Sequence, residues 1–273
     1  MPGLDAINAN DDVIKDPLIE QALREIYSTY GELASVKNKA KSLLKFGRND
    51  AVSNAATGST IMTLAGSEDH ETFVSDNLID TVSSSSGDDD QDLIIEGHTI
   101  DSNGDFTFVI QTATLDGQNK VVLSTPLARV TKMYNNDNSD LVGNIYAYQD
   151  GDITDGVPDT AAEVHCIIAA GKNQSEKCAT TISKDDYWII TMFSATVLEK
   201  SALFADVEIQ VRNKGKTFRA KDIIGVQAGN NEEQYSIPYM IVPPNSDVRL
   251  VGIASADNKS LAGSIHGFLA SKL

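Results

Sequence analysis

After about Ser59 this chain is a succession of short apolar runs, cut at near-regular intervals by Asn, Asp and Gly turns. The runs are short, β-branched and aromatic, without sustained helical periodicity, so they point to strands. Residues 187–198 (YWIITMFSATVL) read as a central strand. Residues 207–212 (VEIQVR) alternate cleanly, which implies one buried and one wet face. Residues 217–226, 235–242, 248–254 and 260–269 follow. Their turns are Lys214-Gly215, Gly229-Asn230-Asn231, Pro243-Pro244-Asn245-Ser246 and Asp257-Asn258. Earlier, Asn103-Gly104 reads as a two-residue hairpin turn, because both central positions need positive φ. The fold class expected is mainly β: an antiparallel β-sandwich or jelly roll.

The N-terminal part reads differently. Asp16 can cap a helix, and Pro17 is tolerated at its first position. Ile19, Leu23, Ile26, Tyr27 and Tyr30 recur at spacings of three and four, one stripe of a helix. A second run continues through Leu33, Val36, Ala40, Leu43 and Leu44, with Phe46-Gly47 as its stop. Lys37, Lys39, Lys41, Lys45 and Arg48 make this half basic. The expected organisation is an N-terminal helical arm and linker over 1–58, the linker lying at 49–60. A β-sandwich body covers 59–273, divisible into packed subdomains at about 59–160 and 161–273. The arm either packs on its own body or docks its apolar stripe and basic half on a partner.

Charge narrows the partners. The formal net charge is −17, which disfavours nucleic acid and anionic membranes over most of the surface. No stretch of about 18 apolar residues suggests a membrane span. The first residues are polar and acidic, unlike a signal peptide. The final Ser271-Lys272-Leu273 matches a peroxisomal address but reads as a polar tail. Residues 83–90 (SSSSGDDD) read as an exposed flexible acidic loop. Cys166 and Cys178 flank a polar loop and are expected as free thiols.

Catalytic signatures are missing. There is no G-x-S-x-G, H-E-x-x-H, P-loop or Rossmann fingerprint. His70, His98, His165 and His266 are dispersed, so no metal or cofactor is assigned. Asp101-Ser102-Asn103-Gly104-Asp105 opens like a calcium loop but lacks Gly at the sixth position and Glu at the twelfth, where Thr112 sits, and residues 149–156 (QDGDITDG) fit no EF-hand spacing. Asp and Glu total 39, so a carboxylate pair suited to glycoside hydrolysis carries no information. Trp188, the only tryptophan, sits in an apolar strand and is expected in the core. Tyr146 and Tyr148 share one strand face, as core or as a glycan platform.

Three stretches resemble virion structural proteins of tailed bacteriophages. They are residues 57–80 (TGSTIMTLAGSEDHETFVSDNLID), 93–148 (from LIIEGHTIDSNGDF to LVGNIYAY) and 235–270 (YSIPYMIVPPNSDVRLVGIASADNKSLAGSIHGFLA). The turn-dense, Thr/Asn-rich style covers most of the chain after Ser59. The resemblance implies a non-enzymatic assembly component located in the virion and built in the host cytoplasm. It implies partners among the major capsid protein or other virion proteins, and a homotrimer. Within that class the first reading is an auxiliary capsid (cement or decoration) protein bridging shell subunits. The alternatives are a tail, fibre or receptor-binding component, and a jelly-roll enzyme or glycan-binding module. In the first reading the arm residues Ile19, Leu23, Ile26, Tyr27, Tyr30, Lys37, Lys39, Lys41, Lys45 and Arg48 meet the partner.

Overall fold

The computed structural model describes residues 40–65, 70–199 and 203–271. Its strands, in chain order, are β1 (Ala40–Val52), β2 (Ser59–Thr60), β3 (Ile79–Ser84), β4 (Asp92–Ile100), β5 (Phe106–Thr114), β6 (Val121–Leu127), β7 (Arg129–Asn135), β8 (Ile145–Gln149) and β9 (Ile153–Thr154). Then come β10 (Val157–Pro158), β11 (Val164–Ile168), β12 (Ala179–Ile182), β13 (Asp186–Val197), β14 (Phe204–Asn213), β15 (Arg219–Gln227), β16 (Asn231–Val242), β17 (Ser246–Ala254) and β18 (Lys259–Ser271). Among the described residues the one helical element is a 3-10 turn at Ala161–Glu163. The molecule is mainly β and its sheets are antiparallel.

The strands make two sheet pairs, each closed on its own apolar core. In the first, the order β11-β8-β3-β6 faces β5-β4-β7. Ile79, Leu93, Ile95, Leu127, Val130, Met133 and Ile145 fill the space between them. In the second, β1-β18-β13-β16 faces β12-β17-β14-β15, with β2 paired to β17. Trp188, Phe193, Val207, Ile209, Leu250 and Leu261 fill that core. Alternation does the sorting: on β14, Ala205, Val207, Ile209 and Val211 point inward and are buried. The two cores are distinct clusters, and the layer where the sandwiches meet is polar. The turns after residue 213 fall where the sequence placed them, with Asn245 and Asn258 in the left-handed region at φ 55° and 56°.

The strand β1 overturns the helical reading of residues 40–48. Leu43, Lys45, Gly47 and Asn49 alternate inward, while Ser42, Leu44, Arg48 and Asp50 are exposed. Tertiary contacts explain why the extended form wins over the local 3–4 spacing. β1 lies beside β18. Asn49 Nδ2 donates to the Thr60 carbonyl at 2.8 Å. A Cβ at Gly47 would stand 2.2 Å from the Ile61 carbonyl oxygen and 2.5 Å from the Cys178 nitrogen. Gly47 is therefore a close-approach point inside a strand, not a helix stop. Residues 49–60 are likewise no free linker, since Asn49, Val52, Ser59 and Thr60 are buried. The expected helical segment at 16–39 lies outside the described residues.

Residues 83–90 also differ from expectation. Ser83 and Ser84 end β3 and are fully buried, and so is Asp89. The Asp89 carboxylate accepts hydrogen bonds from Val142 N (2.7 Å), Gly143 N (2.9 Å) and Ser84 Oγ (2.5 Å). One carboxylate thus satisfies backbone donors that would otherwise be orphaned inside the fold. Only Gly87, Asp88 and Asp90 are exposed, as a solvated loop should be. The β4–β5 hairpin forms with Ile100 opposite Phe106. Its loop spans residues 101–105 and is not the expected two-residue Asn103-Gly104 turn: Gly104 has φ 76° but Asn103 is not at positive φ, and the Asp101 side chain accepts from both Asn103 N and Asp105 N at 2.9 Å.

Candidate functional site

The polar layer between the sandwiches is the most chemically dense region. Arg129, on β7 of the first sandwich, donates from Nε to Asp247 Oδ1 at 3.0 Å. Asp247 opens β17 of the second sandwich. It also accepts from Arg212 (Nε 3.0 Å, NH2 2.5 Å) and from Thr181 Oγ1 (2.6 Å). Burial pushes the Asp247 carboxyl pKa up, but the Arg129 and Arg212 guanidiniums outweigh it and hold it below the usual range. Around this carboxylate, rings and guanidiniums stack in alternation. Arg129 lies 4.9 Å from the Phe106 ring centre and 5.1 Å from that of Phe73. Arg212 lies 4.7 Å from both Phe73 and Phe218, and Arg249 lies 4.1 Å from Phe218. Desolvated stacks of this kind contribute about 2 kcal/mol per pair at the upper end.

A second cluster lies in the same seam. Lys177 Nζ donates to Glu71, to the Val130 carbonyl (2.6 Å) and to the His165 carbonyl (2.8 Å). Three acceptors meet its three N–H groups, so every donor of the ammonium is satisfied. Burial raises the Glu71 pKa, against the pull of Lys177. Its Oε2 is buried without a hydrogen-bond partner. Lys45 reaches the same region from β1 and donates to the Thr131 carbonyl. Burial and the nearby Lys177 charge lower its pKa to about 8. His98 and His165 are both buried, and burial pushes each to about 3. His165 Nδ1 meets the Thr72 carbonyl at 3.0 Å and Nε2 meets Gln149 at 3.0 Å.

Of the residues singled out for partner binding, Ile19, Leu23, Ile26, Tyr27, Tyr30, Lys37 and Lys39 lie outside the described residues. Lys41 is exposed on β1. Arg48 is exposed and pairs with Asp50 at 2.7 Å. Lys45 is buried, so it is not available to an acidic partner surface. Cys166 and Cys178 are buried free thiols whose pKa values burial raises. Tyr146 and Tyr148 are buried, so they offer no sugar platform, and Trp188 is in the core. Among the described residues no three His, Cys, Asp or Glu side chains gather as metal ligands.

Two surface features remain. On the outer face of the β1-β18-β13-β16 sheet, Ile189 stands directly between Ile241 of β16 and Phe268 of β18. Ile241 is 63% exposed and Phe268 37%, and Tyr239 also faces solvent. On β18, Ser264 Oγ lies 3.0 Å from His266 Nε2 and 2.8 Å from Ser194 Oγ. The serine–imidazole contact has the reach of a nucleophile and base. Among the described residues no carboxylate is hydrogen-bonded to that imidazole. The adjacent groove, of about 290 Å³, is lined by Phe46, Arg48, Glu176, Ser194, Thr196 and Gly263 among others.

No family model and no curated protein matches this chain. Among solved structures it is similar to that of infectious bursal disease virus, Gx strain, at 10% identity, covering 86% of this chain and 73% of that chain with a TM-score of 0.23. The Gt strain structure gives 9%, 86%, 72% and 0.21. T=1 particles derived from the virus give 9%, 86%, 75% and 0.19. At TM-scores of this size no common fold or function follows from the likeness.

Proposed function

We propose that this chain is a non-enzymatic virion structural protein, an auxiliary capsid protein of the cement or decoration type. The observation that carries the reading is the apolar row Ile241–Ile189–Phe268, presented on a sheet face of a chain with a net charge of −17. A solvated sheet face normally carries polar side chains, and contiguous apolar ones mark contact surfaces. Covering Ile241 and Phe268 would contribute about 1.5–3 kcal/mol each at full burial. The sequence resemblance to tailed-phage virion proteins supports the same class. In this reading the partner is a shell subunit, the chain acts as a homotrimer, and it resides in the virion. Residues 16–39 supply a second contact through Ile19, Leu23, Ile26, Tyr27 and Tyr30, with Lys37 and Lys39 toward acidic shell surface. Linked contacts would then gain through effective concentration.

The test is co-sedimentation of the purified full chain with empty phage shells, alongside a form lacking residues 1–39 and an Ile241→Lys variant. The reading expects saturable binding, weakened at least tenfold by either change. Equal binding by all three forms, or none by any, sinks it. Binding to isolated tails but not shells would instead support the tail reading.

A further inference from the structure

The two hydrophobic cores do not merge; the sandwiches meet through charges. The seam holds Arg129, Arg212, Arg249, Lys45 and Lys177 against the carboxylates of Asp247 and Glu71. The Glu96 carboxylate of β4 also acts on Lys45, and positive charge still exceeds negative there. Two histidines lie among these cations. Facing His98 are Asp247 from β17, Arg129 from β7, Lys45 from β1, and the Phe106 and Phe108 rings of β5. Its Nδ1 is buried with no hydrogen-bond partner, so no acceptor waits for an added proton. Facing His165 are Lys177, Arg129, the Thr72 carbonyl and the Gln149 amide.

We propose that the seam is an acid-sensitive joint: proton uptake by His98 and His165 separates the two sandwiches while each hydrophobic core stays folded. The physical ground is charge crowding in a low-dielectric layer. An imidazolium at His98 meets Arg129 and Lys45; one at His165 meets Lys177 and Arg129. Burial raises the Glu71 carboxyl pKa against the pull of Lys177, so on acidification its offsetting charge weakens earlier than that of an exposed carboxylate. Asp247 is then the carboxylate still paired with Arg129 and Arg212, beside the carbonyls and the Phe73, Phe106 and Phe218 rings that the cations also face. Opening lets the imidazoliums and guanidiniums hydrate, which relieves the desolvation cost. The cores carry no such groups: one is built from residues such as Ile79, Leu93 and Met133, the other from Trp188, Phe193 and Leu250. Apolar contacts of that kind are indifferent to pH in this range, so the seam yields first.

The experiment follows the full chain from pH 7.5 to 3.5 by small-angle scattering, far-UV circular dichroism and Trp188 fluorescence, with proton uptake measured by titration. The expected result is a rise in radius of gyration below about pH 6, with the β spectrum and the Trp188 emission retained and protons taken up in the same step. The double variant His98→Gln/His165→Gln shifts that midpoint down by about one pH unit or more. If the variant does not fold, hydrogen–deuterium exchange at the imidazole C2 positions of the natural chain replaces it. His98 and His165 should be protected at neutral pH and exchange once the radius grows. A constant radius down to pH 3.5, or loss of Trp188 packing and β signal in the same step, overturns the proposal. So does an unchanged midpoint in the folded double variant, or exchange at both histidines before the radius changes.

Discussion

Arg129 and Asp247, 118 residues apart in sequence, form a buried ion pair at 3.0 Å that joins the two sandwiches. Each side chain is 5% exposed, so neither charge has water to fall back on. Breaking a buried pair from one side leaves an uncompensated charge, which costs about 3–5 kcal/mol. Asp247→Ala should therefore lower unfolding stability by that amount in urea titrations. The double change Arg129→Met/Asp247→Leu should cost less than the single one, because Arg129 no longer stays buried as a bare charge and only the 25% exposed Arg212 loses its carboxylate.

Stability should fall steeply on the acid side of neutrality. Both His98 and His165 have a folded pKa of about 3, below the ordinary 6.5. Above pH 6.5 both are neutral in folded and unfolded chains, and they contribute no penalty. As pH falls from 6.5 to 3, a chain whose seam is open or unfolded takes up protons that the closed chain refuses. The loss integrates to on the order of 4 kcal/mol per histidine by linkage. Urea midpoints at pH 7 and pH 4.5 check this, and replacing either histidine by Gln should flatten the slope.

Lys45 gives a slope of the same sign in an alkaline window. Its folded pKa of about 8 lies below the ordinary 10.5. Below pH 8 the ammonium is charged in both states and carries its burial cost. Between pH 8 and 10.5 the folded chain releases its proton first, and this group's contribution rises. Comparing the natural chain with Lys45→Met across that window isolates the slope, which the variant should lack.

The acidic run at residues 88–90 should behave unevenly under mutation. Asp89→Ala removes the acceptor for Val142 N, Gly143 N and Ser84 Oγ and should cost about 2–4 kcal/mol. Asp88→Ala and Asp90→Ala alter exposed groups and should stay within about 0.5 kcal/mol. Thermal melts of the three variants separate a buried clasp from a solvated loop.

Gly47→Ala should destabilise strongly, by about 2 kcal/mol or more, because the added carbon meets the Ile61 and Cys178 backbone and not a flexible side chain. A helix-stop glycine would tolerate alanine far better. The same denaturation assay decides between them.

The strands from 187 onward were legible because each alternates apolar and polar residues between strong turns, as VEIQVR does on β14. β1 was not legible. Its Ala40, Leu43 and Leu44 fit a helical run, and only contacts with Ile61 and Cys178, far along the chain or across a turn, make it extended. Asp89 was misread because three consecutive aspartates look alike in sequence; only Val142 and Gly143 distinguish the middle one. The seam left a faint signal. Arg129 in PLARV and Asp247 in SDVRLV are charges embedded in apolar runs, which is where buried ion pairs hide. Which charge meets which depends on the stacking of two sandwiches, and no local pattern encodes that.

The most direct measurement for the virion reading is the stoichiometry of the full chain on purified empty phage shells, counted by quantitative sedimentation. The account predicts saturation at a fixed ratio to shell subunits, reduced at least tenfold by Ile241→Lys. Absence of binding, or unsaturable binding that Ile241→Lys leaves untouched, would contradict it.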